Sequence, residues 1–187
     1  MRLPVICSLA LSLYACNSTT ELKSEEAYAI IRKEMKYPRT ITYTINRVDG
    51  DHADNARSTS LIRDGYLSVI PVGEVIPEGR YMIELTEKGK SYQVADPDLP
   101  EEKIAVRLAE ADVVSPENVK VQTGQDGKVA TATYKVSYTD VTPFAALSKN
   151  RDFSPEAKPE VIYLARQDDG SWIREVNPDA RFLELEK

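Results

Sequence analysis

Ala130-Thr131-Ala132-Thr133-Tyr134-Lys135-Val136-Ser137-Tyr138 is the stretch on which the reading of the fold turns. Ala130, Ala132, Tyr134, Val136 and Tyr138 share one parity, and Thr131, Thr133, Lys135 and Ser137 share the other. Successive side chains of a strand point to opposite faces, so this alternation predicts one half-buried antiparallel strand over 130–138. On its C-terminal side, Val161-Ile162-Tyr163-Leu164-Ala165-Arg166, the turn Asp168-Asp169-Gly170 and Ser171-Trp172-Ile173-Arg174-Glu175-Val176 predict a hairpin. On its N-terminal side, Val119 and Val121 alternate before the turn signal Gly124-Gln125-Asp126-Gly127. Lys103–Asp112 reads two ways: Ile104, Val106 and Leu108 alternate, whereas Ile104, Leu108 and Ala111 would line a helix. The strand is preferred because β segments follow it.

The N-terminal half is mixed. Ser24 followed by Glu25 and Glu26 suits a helix start. Ala27, Ile30, Ile31 and Met35 fall on one helical face, which predicts a helix over 24–36 stopped by Pro38. Ile41–Val48 alternates and is rich in β-branched residues, as a strand would be. Asp49–Asn55 reads as a polar loop, Ser58–Gly65 as a short helix carrying Leu61 and Ile62, Tyr81–Thr86 as a strand and Glu87–Lys90 as a turn. The fold class expected is therefore α+β: an N-terminal helix and a small mixed segment (24–95), then an antiparallel sheet (96–187), with 24–187 forming one domain as the alternative. Between the predicted strands, 139–159 contains Pro143, Pro155 and Pro159. A connection of that length is either a functional loop or a partly ordered excursion. Thr139–Pro159 is the first candidate for a contact surface, and a loop packed by Phe144 and Phe153 is the plainer reading.

The chain has 187 residues and a formal net charge of -6. Its 42% hydrophobic and 29% charged residues are those of a soluble globular body, and its mean hydropathy of -0.39 excludes a polytopic membrane protein. The negative charge argues against a nucleic-acid surface. One histidine and two cysteines exclude most metal centres and disulfide frameworks.

Residues 1–16 carry an address. Arg2 precedes an apolar stretch from Leu3 to Ala15, too short for the roughly 30 Å hydrocarbon core. Leu13-Tyr14-Ala15-Cys16 resembles the lipobox of bacterial lipoproteins. That resemblance implies a signal peptide at 1–15, cut before Cys16, with a diacylglycerol on the Cys16 thiol and an acyl group on its new amino terminus. The plainer alternatives are an ordinary secretory signal cut at Ala15 or a buried apolar strand. Lipidation implies a body tethered to the membrane through 16–23. Asn17 in place of an aspartate after the cysteine favours the outer membrane if the source is Gram-negative. Cys7 leaves with the signal and Cys16 is capped, so stability has to come from an apolar core.

Two further resemblances concern the body. Leu61–Leu67, a Gly- and Pro-punctuated stretch, Tyr81–Leu85 and Thr86-Glu87-Lys88-Gly89-Lys90 resemble the end of a winged helix, which implies a helix closing at Gly65 and a two-stranded wing. Segment 21–95 carries 11 basic and 12 acidic side chains, so such a shape would serve protein contact or folding alone, not DNA. The strand, Asp-Gly turn and Ser171–Val176 return resemble the closing hairpin of small cystatin-like or NTF2-like α+β domains.

Catalytic signals are sparse. His52, the sole histidine, sits among Asp49, Asp51 and Asp54, and no G-x-S-x-G elbow accompanies it. Those three aspartates lack the EF-hand spacing, because Ala53 and Asp54 occupy its fifth and sixth positions. There is no phosphate loop and no G-x-G-x-x-G motif, so no cofactor is expected. Tyr134, Tyr138, Tyr163 and Trp172 are expected in core and sheet, not around a ligand. Catalytic, cofactor-binding and metal-ligating residues are accordingly assigned to none, and Cys16 is the single site residue. The function expected is a lipid-anchored, non-enzymatic binding or assembly module with an envelope protein partner. The alternatives are an envelope hydrolase using two carboxylates, and an inhibitor or exclusion lipoprotein that inserts the Thr139–Pro159 loop.

Overall fold

The computed structural model describes residues 21–71, 73–154 and 159–186. The signal segment 1–15, the Leu13–Cys16 motif and most of the tether lie outside the described residues. In chain order the elements are α1 (Ser24–Glu34), β1 (Arg39–Asn46), α2 (Gly50–Arg57), β2 (Leu67–Val69), β3 (Ile83–Leu85), α3 (Glu87–Lys90), β4 (Gln93–Val94), β5 (Lys103–Asp112), β6 (Val119–Thr123), β7 (Val129–Tyr134), β8 (Ser137–Thr139), β9 (Glu160–Arg166), β10 (Trp172–Glu175) and α4 (Ala180–Leu183). The fold is α+β, and every strand pair is antiparallel. Among the described residues no helix is long and apolar enough to cross a membrane.

Two four-stranded sheets organise the chain. The first runs β1-β5-β4, with β8 also on β5, and the second runs β10-β9-β7-β6. β5 is the strand preferred for 103–112. It is flanked on both sides, and a register shift opposite Ile41/Thr42 breaks the strict alternation at Leu108 and Ala109, so that Val106, Leu108, Ala109 and Ala111 are all buried. Because β1 pairs with β5, the first sheet joins residues on both sides of the 95/96 division. Helix α1 buries Ala27 and Ile31 against Ala130, Ala132, Tyr134, Ile162, Leu164 and Trp172 of the second sheet. A second core gathers Ile45, Ala53, Ala56, Leu61, Leu67, Ile83, Val106, Leu108, Phe144 and Leu147 around the first sheet. The predicted hairpin is present as β9 and β10, with Trp172 opposite Arg166.

Six local expectations are corrected. The strand predicted over 130–138 is two strands in different sheets: β7 pairs with β6 and β9, and β8 pairs with β5. Ala130, Ala132 and Tyr134 are buried as expected, but Thr131 on the opposite parity is buried too, so β7 is covered on both faces and is not half-solvated. The polar loop at 49–55 is α2 from Gly50 onward. Asp49 caps it, its Oδ1 accepting from the N–H groups of Asp51 and His52, and Ala53 and Ala56 plug into the core. The helix expected over 58–65 is a series of turns, with Asp64 N–H donating to Ser60 and Tyr66 N–H to Leu61. The turn at 87–90 is the single helical turn α3, capped by Thr86 Oγ1, which accepts from Gly89 N–H. β2 and β3 do form a two-stranded ribbon, as the wing reading implied, but the helix before it is α2. Helix α1 ends at Glu34, two residues short of the expected limit, where Lys36 turns left-handed at φ 56°.

Candidate binding groove

β1 forms because Ile41, Tyr43 and Ile45 supply an inward row while Thr40, Thr42 and Thr44 face solvent. It pairs on one side only, with β5, so it is an edge strand. Beside it lies a groove of about 460 Å³ lined by Arg39, Thr40, Ile41, Thr42, Tyr43, Leu108, Ser148, Asn150 and Arg151. Five consecutive residues of one strand line it. Both parities contribute, so the strand's backbone and not merely one of its faces forms that wall.

The opposite wall comes from the 139–159 connection. After β8, Thr142 N–H donates to Leu108 and Thr142 Oγ1 donates to Arg107, which returns the chain to the first sheet. A 3-10 turn over Pro143–Leu147 then buries Phe144 and Leu147, and Asn55 Nδ2 donates to the Leu147 carbonyl at 3.0 Å. Ser148, Asn150 and Arg151 follow directly, held beside β1. The connection is packed at Phe144, as the plainer reading expected, and beyond that turn it lines the groove.

The charge of the groove is one-sided. Arg39 and Arg151 line it, and no carboxylate among the described residues does; the nearest acid on this wall is Glu110, which accepts from Thr40 Oγ1 at 3.0 Å. Neither arginine has an ion-pair partner among the described residues. The Arg39 guanidinium lies 5.0 Å from the centre of the Tyr37 ring, a cation–π contact, and its Nε is buried without a hydrogen-bond acceptor among the described residues. Asp152, next to Arg151, accepts instead from Ser154 N–H, and that bond holds its carboxyl below the usual range.

Behind Arg39 lies a tyrosine cluster. Tyr134 is 1% exposed and its hydroxyl donates to Glu160 Oε2 at 3.0 Å. The Tyr37 ring meets Tyr134 edge-on at 6.4 Å, and the Tyr138 ring meets Phe153 at 5.0 Å. Burial pushes the hydroxyls of Tyr37, Tyr134 and Tyr138 above their ordinary value, and the Glu160 charge adds to the rise in each. These rings pack as core and seam.

The residues marked in the sequence fall elsewhere. His52 sits in the first turn of α2, its Nδ1 accepting from Asn46 N–H at 3.2 Å and its ring tilted on Tyr43 at 5.7 Å. Asp49 is a helix cap, and Asp54 pairs with Arg57 at 2.8 Å. No group of three or more metal-ligating side chains occurs among the described residues. Asp126 and Glu184 share another depression of about 450 Å³ with Arg181, but Asp126 Oδ1 accepts from Lys128 N–H as part of its turn. Arg39 and Arg151 were not marked by any motif, because a lone arginine beside a strand or in a proline-bearing loop resembles any solvated cation. No protein-family model matches the chain, and neither a curated protein nor a solved structure matches it.

Proposed function

We propose that this chain is a lipid-anchored bacterial envelope protein acting as a non-enzymatic binding or assembly module, with the groove beside β1 as its binding surface. The groove carries the reading. It presents two guanidiniums, hydroxyls and an amide, all groups that hold a ligand, and among the described residues no carboxylate, histidine or cysteine lines it. The address rests on Leu13-Tyr14-Ala15-Cys16, and two or three acyl chains at about 0.8 kcal/mol per buried methylene would anchor the body firmly. Asn17 favours the outer membrane in a Gram-negative source, and the partner sought is another envelope protein.

Two measurements test this. Growth with labelled palmitate should label the wild type and leave Cys16→Ser unlabelled; equal label in both would remove the anchor. Crosslinking in intact envelopes should recover one reproducible protein partner, and recovering none would count against the binding module.

A further inference from the structure

We propose that the free edge of β1 is a docking strand for an extended peptide segment of the partner, one that carries an acidic side chain. This deepens the binding reading and rests on it. An antiparallel strand sends the peptide groups of alternate residues to opposite sides. Asn46 N–H points away from β5, since it donates to His52 Nδ1. The same side therefore receives the N–H and C=O groups of Thr44, Thr42 and Thr40.

β1 is the longest edge among the described residues: it spans eight residues, against five for β6, four for β10, three for β8 and two for β4. Exposed edges are usually blunted by proline, by charge or by a covering side chain. Here both ends are blunted, by Pro38 and Arg39 at one and by the His52 cap at the other, while the backbone of Thr40–Thr44 between them has no strand partner on that side among the described residues. The groove runs along that open stretch. An added strand would lie about 4.8 Å from β1 and fill it. Thr40 and Thr42 would supply the ladder, and Arg39 and Arg151, which have no ion-pair partner among the described residues, would take an acidic side chain through charge-assisted hydrogen bonds.

The sign of the charge preference makes the idea testable. The chain as a whole carries -6, so attraction to the whole molecule would favour a cationic peptide. A preference for an acidic one has to arise locally. The full chain in detergent would be titrated with a blocked, fluorescent seven-residue peptide of alternating valine and glutamate, with the valine–lysine version, and with the glutamate version N-methylated on alternate amides. We expect the glutamate peptide to bind at least tenfold tighter than either control and to slow amide hydrogen exchange over 39–46. Arg39→Ala combined with Arg151→Ala should erase the glutamate-over-lysine preference. Equal binding of the lysine or N-methylated peptide, or no exchange protection over 39–46, would overturn the proposal. So would an envelope partner whose crosslinks avoid β1 and 148–151, although the binding module itself would then stand.

Discussion

Removing one hydroxyl, in Tyr134→Phe, should change how stability depends on alkaline pH. Tyr134 is 1% exposed and its hydroxyl lies 3.0 Å from the Glu160 carboxylate. Ionising it in the folded state would set a phenolate against that carboxylate. At an effective dielectric constant of about 20, their repulsion is about 5 kcal/mol. The folded state therefore keeps Tyr134 protonated well above pH 10, while the unfolded chain releases that proton near pH 10. A raised folded-state pKa means stability that is complete below the unfolded value and lost as pH rises beyond it. Linkage puts that loss at about 1.4 kcal/mol by pH 11. At pH 8 the Phe variant should be less stable by about 1–2 kcal/mol, because a hydrogen bond to a charged acceptor is lost at a carboxylate that water partly reaches. By pH 11 most of that gap should close, since the variant has no proton to release. Lysines and the other tyrosines titrate in both proteins and cancel in the difference. Urea unfolding at pH 8, 10 and 11 measures it. A gap that stays constant with pH would refute the buried Tyr134–Glu160 pairing.

The remaining predictions concern α2 and α3. Gly89→Ala should destabilise by at least about 1–3 kcal/mol, because a Cβ there would overlap the Tyr66 carbonyl oxygen and press on Leu85 Cδ2 at 3.2 Å; an unchanged denaturant midpoint would contradict the packing of α3. Asp49→Ala should cost about 1 kcal/mol through loss of the α2 cap, read from the same midpoint. Low millimolar calcium should leave the wild-type melting temperature unchanged, since Asp49 is committed to capping and Asp54 to Arg57; a rise of several degrees would contradict that reading.

Much of the fold was legible from residue patterns alone. Glu25 and Glu26 behind Ser24, with Ala27 and Ile31 on one face, determined α1, and alternation determined β1, β6 and the β9–β10 hairpin, while β5 was preferred over a helix only because β segments follow it. Together these place the chain in the α+β class. Among the elements that misled, two show tertiary packing overriding local pattern. Gly50–Arg57 is polar enough to read as loop, yet two alanines in a core and one aspartate cap suffice to make it helical. The alternation of 130–138 continues unbroken through Lys135 and Val136, although the chain there leaves one sheet for another. The groove was half visible: the 139–159 connection stood out as a contact element, but nothing near Arg39 showed that Arg151 would stand beside it. A period of two reports which face of a strand is buried, and a period of 3.6 reports which stripe of a helix is buried. Neither reports the neighbour. Strands pair through N–H and C=O groups that are the same for nearly every residue, so whether β1 lies at an edge or in the middle of a sheet is decided only when the whole chain packs.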